Sequence, residues 1–338
     1  MIKKKLFKKN KIKKSIKTKK NVCAPFISVG GTQKGMARCI ISKGKKTKKC
    51  KNRRVQVIQS INQNTCLTKD AVMKLIQAWN KSYPKNKIQV GKKNKKSADN
   101  LYQQLRMKMS SYCKGDEKDK ELCWLSKPFE ENINVKNKIK NLKKLYRPEA
   151  PDNWKENPEA WLSTIDIEEL LKQYEIMYPD FKCFGAVPID FDLKDKSNSC
   201  VVSELCQVNL KELINKDKKK YIGIVFNLDK HTESGTHWIS MFCNIPKKEI
   251  NYWDSYGYKP PKEVKELINK LKNQAKDMDI IMKIKLNKKR HQYKDNACGI
   301  YSSHFIIQQL EGKTFEEVVN NIIKDDEMNA NRSKFFSL

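Results

Sequence analysis

Apolar and polar positions change their spacing twice along the chain. The first 64 residues are dominated by lysine and offer little to bury. From 65 to about 148 the period is helical: Val72, Leu75, Ile76 and Trp79 share one face after Thr68-Lys69-Asp70, and Leu101, Leu105 and Met109 recur at intervals of four. Arg147-Pro148-Glu149-Ala150-Pro151 marks the next boundary. Beyond it, 159–174 again reads as a helix. Tyr221 to Phe226, Thr236 to Phe242 and Glu249 to Trp253 are short runs of apolar, β-branched and aromatic residues separated by Asn, Asp, Gly, Ser and Pro, the pattern of consecutive antiparallel strands. An apolar stretch from Ile300 to Leu310 has the length of a helix. The expected organisation is a tail (1–64), a small helical domain (65–148) and an α+β domain (149–338). The last has about 190 residues, enough for its own core.

Four side chains in the third segment carry candidate chemistry. His237 and Asp254 are predicted to lie on neighbouring strands. Cys298 opens the apolar helix, with Asp295 or Asn296 as candidate N-caps. A thiol in the first turn of a helix meets the partial positive charge of that end, which favours thiolate over thiol. An imidazole can take the thiol proton, and a carboxylate fixes the tautomer of that imidazole. Gln292 has a side-chain N–H to offer an oxyanion beside the backbone N–H of Cys298. Gly299 is read as leaving room for a substrate backbone near the sulfur. The other histidines suit the role of base less well: His231 lies in a polar loop, His291 in a basic turn and His304 inside the helix.

His237-Trp238, Asp254 seventeen positions later, and Gln292 six positions before Cys298 in a Cys-Gly-Ile context resemble the Ulp1-like and adenain-like cysteine proteases. That family includes SUMO-deconjugating enzymes and virion-maturation proteases of nucleocytoplasmic large DNA viruses. The resemblance covers about residues 150 to 325. It implies a papain-related core, with a central mixed sheet flanked by helices and the nucleophile at a helix N-terminus. His237 would be the base, Asp254 its orienting carboxylate, Gln292 the oxyanion donor and Cys298 the nucleophile. Trp161-Leu162-Ser163 resembles the segment that opens the catalytic domain and borders the cleft, so Trp161, Ser163, Trp238 and Gly299 are candidate substrate contacts.

Charge adds a second theme. The first acidic residue is Asp70, and the 69 residues before it hold 22 lysines and arginines of a net charge of +33. A segment such as Met1 to Lys20 cannot offset its chain entropy by packing, and the tail is expected to be largely disordered. It is suited to nucleic acid or another polyanion through counterion release, so DNA is a candidate tether or activator; the alternative is a solvated tail or import signal. Within it, Val22 to Ile41 is nearly uncharged and contains Gly30 and Gly31. Proteases of the resembled family typically cut after Gly-Gly or Gly-X-Gly, which makes Gly31 to Thr32 a candidate self-cleavage site; the alternative is a flexible glycine turn.

No run approaches the eighteen apolar residues of a membrane span, and no secretory apolar core follows the basic start. Eleven cysteines without tight paired spacing point to free thiols in a reducing compartment. Neither a metal site nor a phosphate-binding glycine motif is expected, so no cofactor is. Lysine- and asparagine-heavy composition suits an AT-rich genome. Three functions are weighed: a viral protease processing structural precursors at Gly-Gly-like sites, in the virion and host cytoplasm; a SUMO or ubiquitin-like deconjugase of the cytoplasm or nucleus; and a non-catalytic basic core protein binding nucleic acid.

Overall fold

The computed structural model describes residues 65, 67–90, 98–113, 121–125, 127–129, 131–139, 142 and 146–336. The basic tail, with Gly30 and Gly31, lies outside the described residues. The first helices are α1 (Lys69–Ser82), α2 (Ala98–Met109), α3 (Glu121–Trp124) and α4 (Ile133–Ile139). Thr68 caps α1 by accepting from the Ala71 N–H at 3.1 Å. The apolar face read from the sequence is buried: Val72, Leu75, Ile76 and Trp79 pack with Leu101, Leu105, Met109, Trp124 and Phe129 in a cluster of their own. Hydrogen bonds join its end to the rest of the molecule. The Gln173 amide donates to the Tyr146 carbonyl at 2.5 Å, and Arg147 donates to the Ser333 carbonyl at 3.0 Å.

The remainder is built on α5 (Thr164–Met177), β1 (Phe181–Pro188), α6 (Ser203–Cys206), α7 (Leu210–Asn215), β2 (Tyr221–Asn227), β3 (Trp238–Asn244), β4 (Glu249–Trp253), α8 (Lys262–Lys276), β5 (Lys283–Leu286), α9 (Cys298–Leu310), α10 (Phe315–Asn320), α11 (Asp325–Ala330) and α12 (Arg332–Phe335). The strands run in order β1-β2-β3-β4-β5, with the outer pairs parallel and the inner pairs antiparallel. This is the mixed sheet flanked by helices that the resemblance implies. Along β2, Tyr221 and Val225 join one core with α5 and α9, while Ile222, Ile224 and Phe226 join the other with α7 and α8. Both faces are covered, so the strand is apolar at nearly every position instead of alternating. Gly223 lies where α9 comes closest: a Cβ there would sit 3.1 Å from Ile306 Cγ2 and 2.8 Å from the Phe181 ring.

Two expectations shift. The helix expected from residue 159 begins at Thr164, because Ser163 and Asp166 form a reciprocal capping box that fixes the start. Four cysteines expected as free thiols are paired: Cys113 bonds Cys123 and Cys200 bonds Cys206, each across a short connection that brings the Cα atoms to 6.2 Å. Cys183, Cys243 and Cys298 are free. Among the described residues no helix is long and apolar enough to cross a membrane.

Candidate active site

The antiparallel β3–β4 pair and the start of α9 converge at one end of the sheet. His237 is the residue before β3 and Asp254 the residue after β4. Ser240 pairs with Trp253, so the extended register sets Asp254 opposite Ile239 and leaves His237 its diagonal neighbour two positions along β3. The His237 Nε2 lies 2.8 Å from Asp254 Oδ1, with both side chains buried. The Cys298 thiol lies close enough to the imidazole to act on its charge. With Nε2 engaged by the carboxylate, Nδ1 is the nitrogen left to face the sulfur. Burial disfavours the imidazolium, but the hydrogen bond to Asp254, the charge of that carboxylate and the neighbouring Cys298 outweigh it and raise His237 to about 9. Tyr256 stacks on the ring at 4.6 Å, and its backbone N–H donates to Asp254 Oδ1 at 2.9 Å.

Cys298 is the first residue of α9 and only 2% exposed. The expected N-caps are not used: Ala297 holds that position without a side-chain cap. Asp295 instead accepts from the Tyr256 hydroxyl at 2.9 Å, and Asn296 donates to Glu159 Oε2 at 2.5 Å. No side-chain cap therefore competes for the first-turn N–H groups, which suits a site where an oxyanion forms. The helix is tied to the sheet by Ser302, whose hydroxyl donates to the Trp238 carbonyl at 2.9 Å.

Gln292 is fully buried, and its amide orientation is set by two bonds. Ser255 Oγ donates to its Oε1 at 2.6 Å, and its Nε2 donates to the Lys294 carbonyl at 2.5 Å. The amide nitrogen carries a second proton for another acceptor. Ser255 also receives the Gln292 and His291 backbone N–H groups on its carbonyl, at 3.0 and 2.8 Å. Asn287 donates to the Asp254 carbonyl at 2.7 Å. Sequence reading missed Ser255, Tyr256 and Asn287. Ser255 and Tyr256 directly follow Asp254, which was the one available signal; Asn287 follows a strand that had not been recognised.

The substrate-contact candidates separate. Trp161 is 44% exposed. Its neighbour Leu162 is buried and offers its carbonyl to the Trp238 indole N–H at 3.1 Å, so Trp238 acts as an internal brace. Ser163 spends its hydroxyl on the α5 cap. Gly299 is corrected: a Cβ there would lie 3.1 Å from Leu162 Cβ and 3.3 Å from both Ile167 Cδ1 and Trp238 Cδ1. Its missing side chain admits the protein's own core, not a substrate backbone. Gly299→Ala is therefore expected to cost about 1–3 kcal/mol by overpacking, read as a lower denaturant midpoint.

The remaining histidines are placed elsewhere. Burial pushes His304 down to about 3 and lowers His291, whose Nε2 faces the Val319 carbonyl at 3.2 Å. His231 pairs with Asp190 at 2.7 Å in an exposed loop.

The Ulp1 protease family, C-terminal catalytic domain, matches residues 191–337. A thiol protease of Acanthamoeba polyphaga mimivirus is 31% identical over 286 residues, which is 81% of this chain and 89% of the relative. The chain belongs to the Ulp1 protease family. It is a cysteine protease. A SUMO-1 cysteine protease of African swine fever virus is 25% identical over 198 residues, covering 54% of this chain and 70% of the relative. The crystal structure of the African swine fever virus protease has the same fold, with a TM-score of 0.52 at 21% identity over 73% of this Ulp1-family chain and 93% of that one.

Proposed function

We propose that this Ulp1-family enzyme is an endopeptidase that cuts protein precursors after Gly-Gly-like sequences during virion maturation. The observation that carries the catalytic assignment is the buried His237–Asp254 pair at 2.8 Å, set beside the thiol that begins α9. His237 takes the Cys298 proton, and the thiolate attacks the scissile glycyl carbonyl. The Gln292 side chain and the Cys298 backbone N–H stabilise the oxyanion. His237 then protonates the leaving amine, and water hydrolyses the thioester.

Glycine specificity is supported by the depth of the nucleophile. A nucleophile whose residue is only 2% exposed is reached most easily by a substrate backbone without side chains at the residues nearest the thiol. The viral setting is supported by the mimivirus and African swine fever virus relatives. In this reading the enzyme acts in the virion and the host cytoplasm, and the basic tail tethers it to packaged DNA or another polyanion, with no cofactor in the chemistry. The name of the African swine fever virus relative, a SUMO-1 cysteine protease, favours one alternative, a SUMO deconjugase.

The purified protein is expected to cleave peptides with an internal Gly-Gly-X site after the second glycine, and to leave SUMO- and ubiquitin-based probes unreacted. Reaction with a modifier probe alone would make it a deconjugase. The same assay with and without DNA separates activation from tethering.

A further inference from the structure

Arg332 begins α12, yet its side chain lies inside the molecule, with the residue 3% exposed. Its Nη1 donates to the Ala160 carbonyl at 2.6 Å, and its Nη2 donates to the carbonyls of Glu159 at 3.1 Å and Asn296 at 2.8 Å. Nε donates to Asn329 Oδ1 at 2.9 Å, and the Trp154 ring lies 4.5 Å from the guanidinium carbon. Every one of these acceptors is neutral. The nearby Glu159 carboxylate is engaged by the Asn296 amide. A buried cation held by neutral acceptors is costly, and a lysine or a neutral side chain could not reach the same three carbonyls with one planar fork.

Those carbonyls belong to the two segments that flank the thiol. Glu159 and Ala160 lead into Trp161-Leu162, and Leu162 packs on Gly299. Asn296 stands two residues before Cys298. We propose that Arg332 is a positioning residue for the reaction: it clamps the Trp161 segment to the entry of α9 and holds a buried positive charge where the thiolate forms. This rests on Cys298 as the nucleophile.

Burial lowers the guanidinium only to about 10, so it is cationic at neutral pH, and Glu159 and Cys298 are the neighbours that act on it electrostatically. Among the described residues, the other titratable or charged groups around the thiol include His237 with Asp254, and Tyr256 with Asp295 and Arg290. A purely structural staple would leave the pH dependence of thiol reactivity unchanged. A clamp carrying charge would shift it.

The test is the pH profile of Cys298 alkylation by iodoacetamide in the full chain, read by peptide mass spectrometry, with kcat and KM for a Gly-Gly peptide. Arg332→Gln is expected to move the alkylation midpoint up by about one pH unit and to lower kcat more than it raises KM. Arg332→Lys is expected to keep most of the midpoint and still lose kcat, because it restores charge without the fork. Glu159→Gln, which keeps an acceptor for Asn296, is expected to move the midpoint down and serves where the Arg332 variants fail to fold. Folded Arg332 variants with wild-type profiles and kcat would overturn the proposal, as would an unmoved midpoint in Glu159→Gln where no Arg332 variant folds. Absence of alkylation at Cys298 in the wild type would instead refute the nucleophile assignment.

Discussion

Cys298→Ala lowers kcat/KM for a Gly-Gly peptide by about 10⁴-fold or more while leaving the denaturation midpoint within about 0.5 kcal/mol of the wild type. The loss is large because the substitution removes the atom that forms the covalent intermediate, and the rest of the site is left with binding and oxyanion stabilisation alone. The fold is spared because the change deletes one sulfur at a position held by α9 packing, with Ile300, Tyr301 and Phe305 fully buried beneath it. The other described free thiols cannot substitute. Burial pushes Cys183 and Cys243 up to about 12, which keeps them protonated at neutral pH. Steady-state kinetics and denaturant titration of the two proteins check both halves. Intact mass in the same samples addresses Gly31: self-processing predicts loss of an N-terminal piece in the wild type and its retention in Cys298→Ala. An intact wild type excludes it.

His237→Ala is expected to cost nearly as much, since the thiol loses its base and the leaving amine its acid. Asp254→Asn should lose one to two orders of magnitude less, because it impairs orientation while the imidazole remains. The pH dependence follows from the direction of the His237 shift. Raised from an ordinary 6.5 to about 9, the imidazolium persists through neutral pH beside the carboxylate. Activity that depends on this protonated partner falls as pH rises through about 9. The stability that the charged pair contributes is fully present below 6.5 and is lost over the same rise. Asp254→Asn removes the carboxylate that raises the value, so the alkaline limb should move to lower pH. Rates measured from pH 6 to 10 check this; an alkaline limb that stays in place in the Asn variant would sink the account of the pair.

The features legible in the sequence are those with a periodic or local signature. The three central strands and α9 announced themselves as apolar runs bounded by turn residues, and they deliver His237, Asp254 and Cys298 to one end of the sheet. α8 was equally legible through Val264, Leu267, Ile268 and Leu271, and went unread. β1 and β5 are harder: one is covered on both faces and broken by Lys182 and Gly185, and the other is a four-residue edge strand alternating with lysine. Gly299 shows a deeper limit. A glycine beside a nucleophile looks like space for substrate until tertiary packing places Leu162, Ile167 and Trp238 against it. Ser255, Asn287 and Arg332 each make a hydrogen bond to a side chain or backbone carbonyl 33 or more positions away. Such partners have no sequence period to betray them.

The most direct measurement is active-site labelling with a short Gly-Gly peptide bearing a thiol-reactive electrophile at its C-terminus, followed by peptide mapping of the full chain. One adduct per molecule is expected, on the peptide containing Cys298, and lost when His237 is replaced by alanine. Labelling spread over other cysteines, or an adduct at Cys298 that forms equally fast without His237, would contradict it.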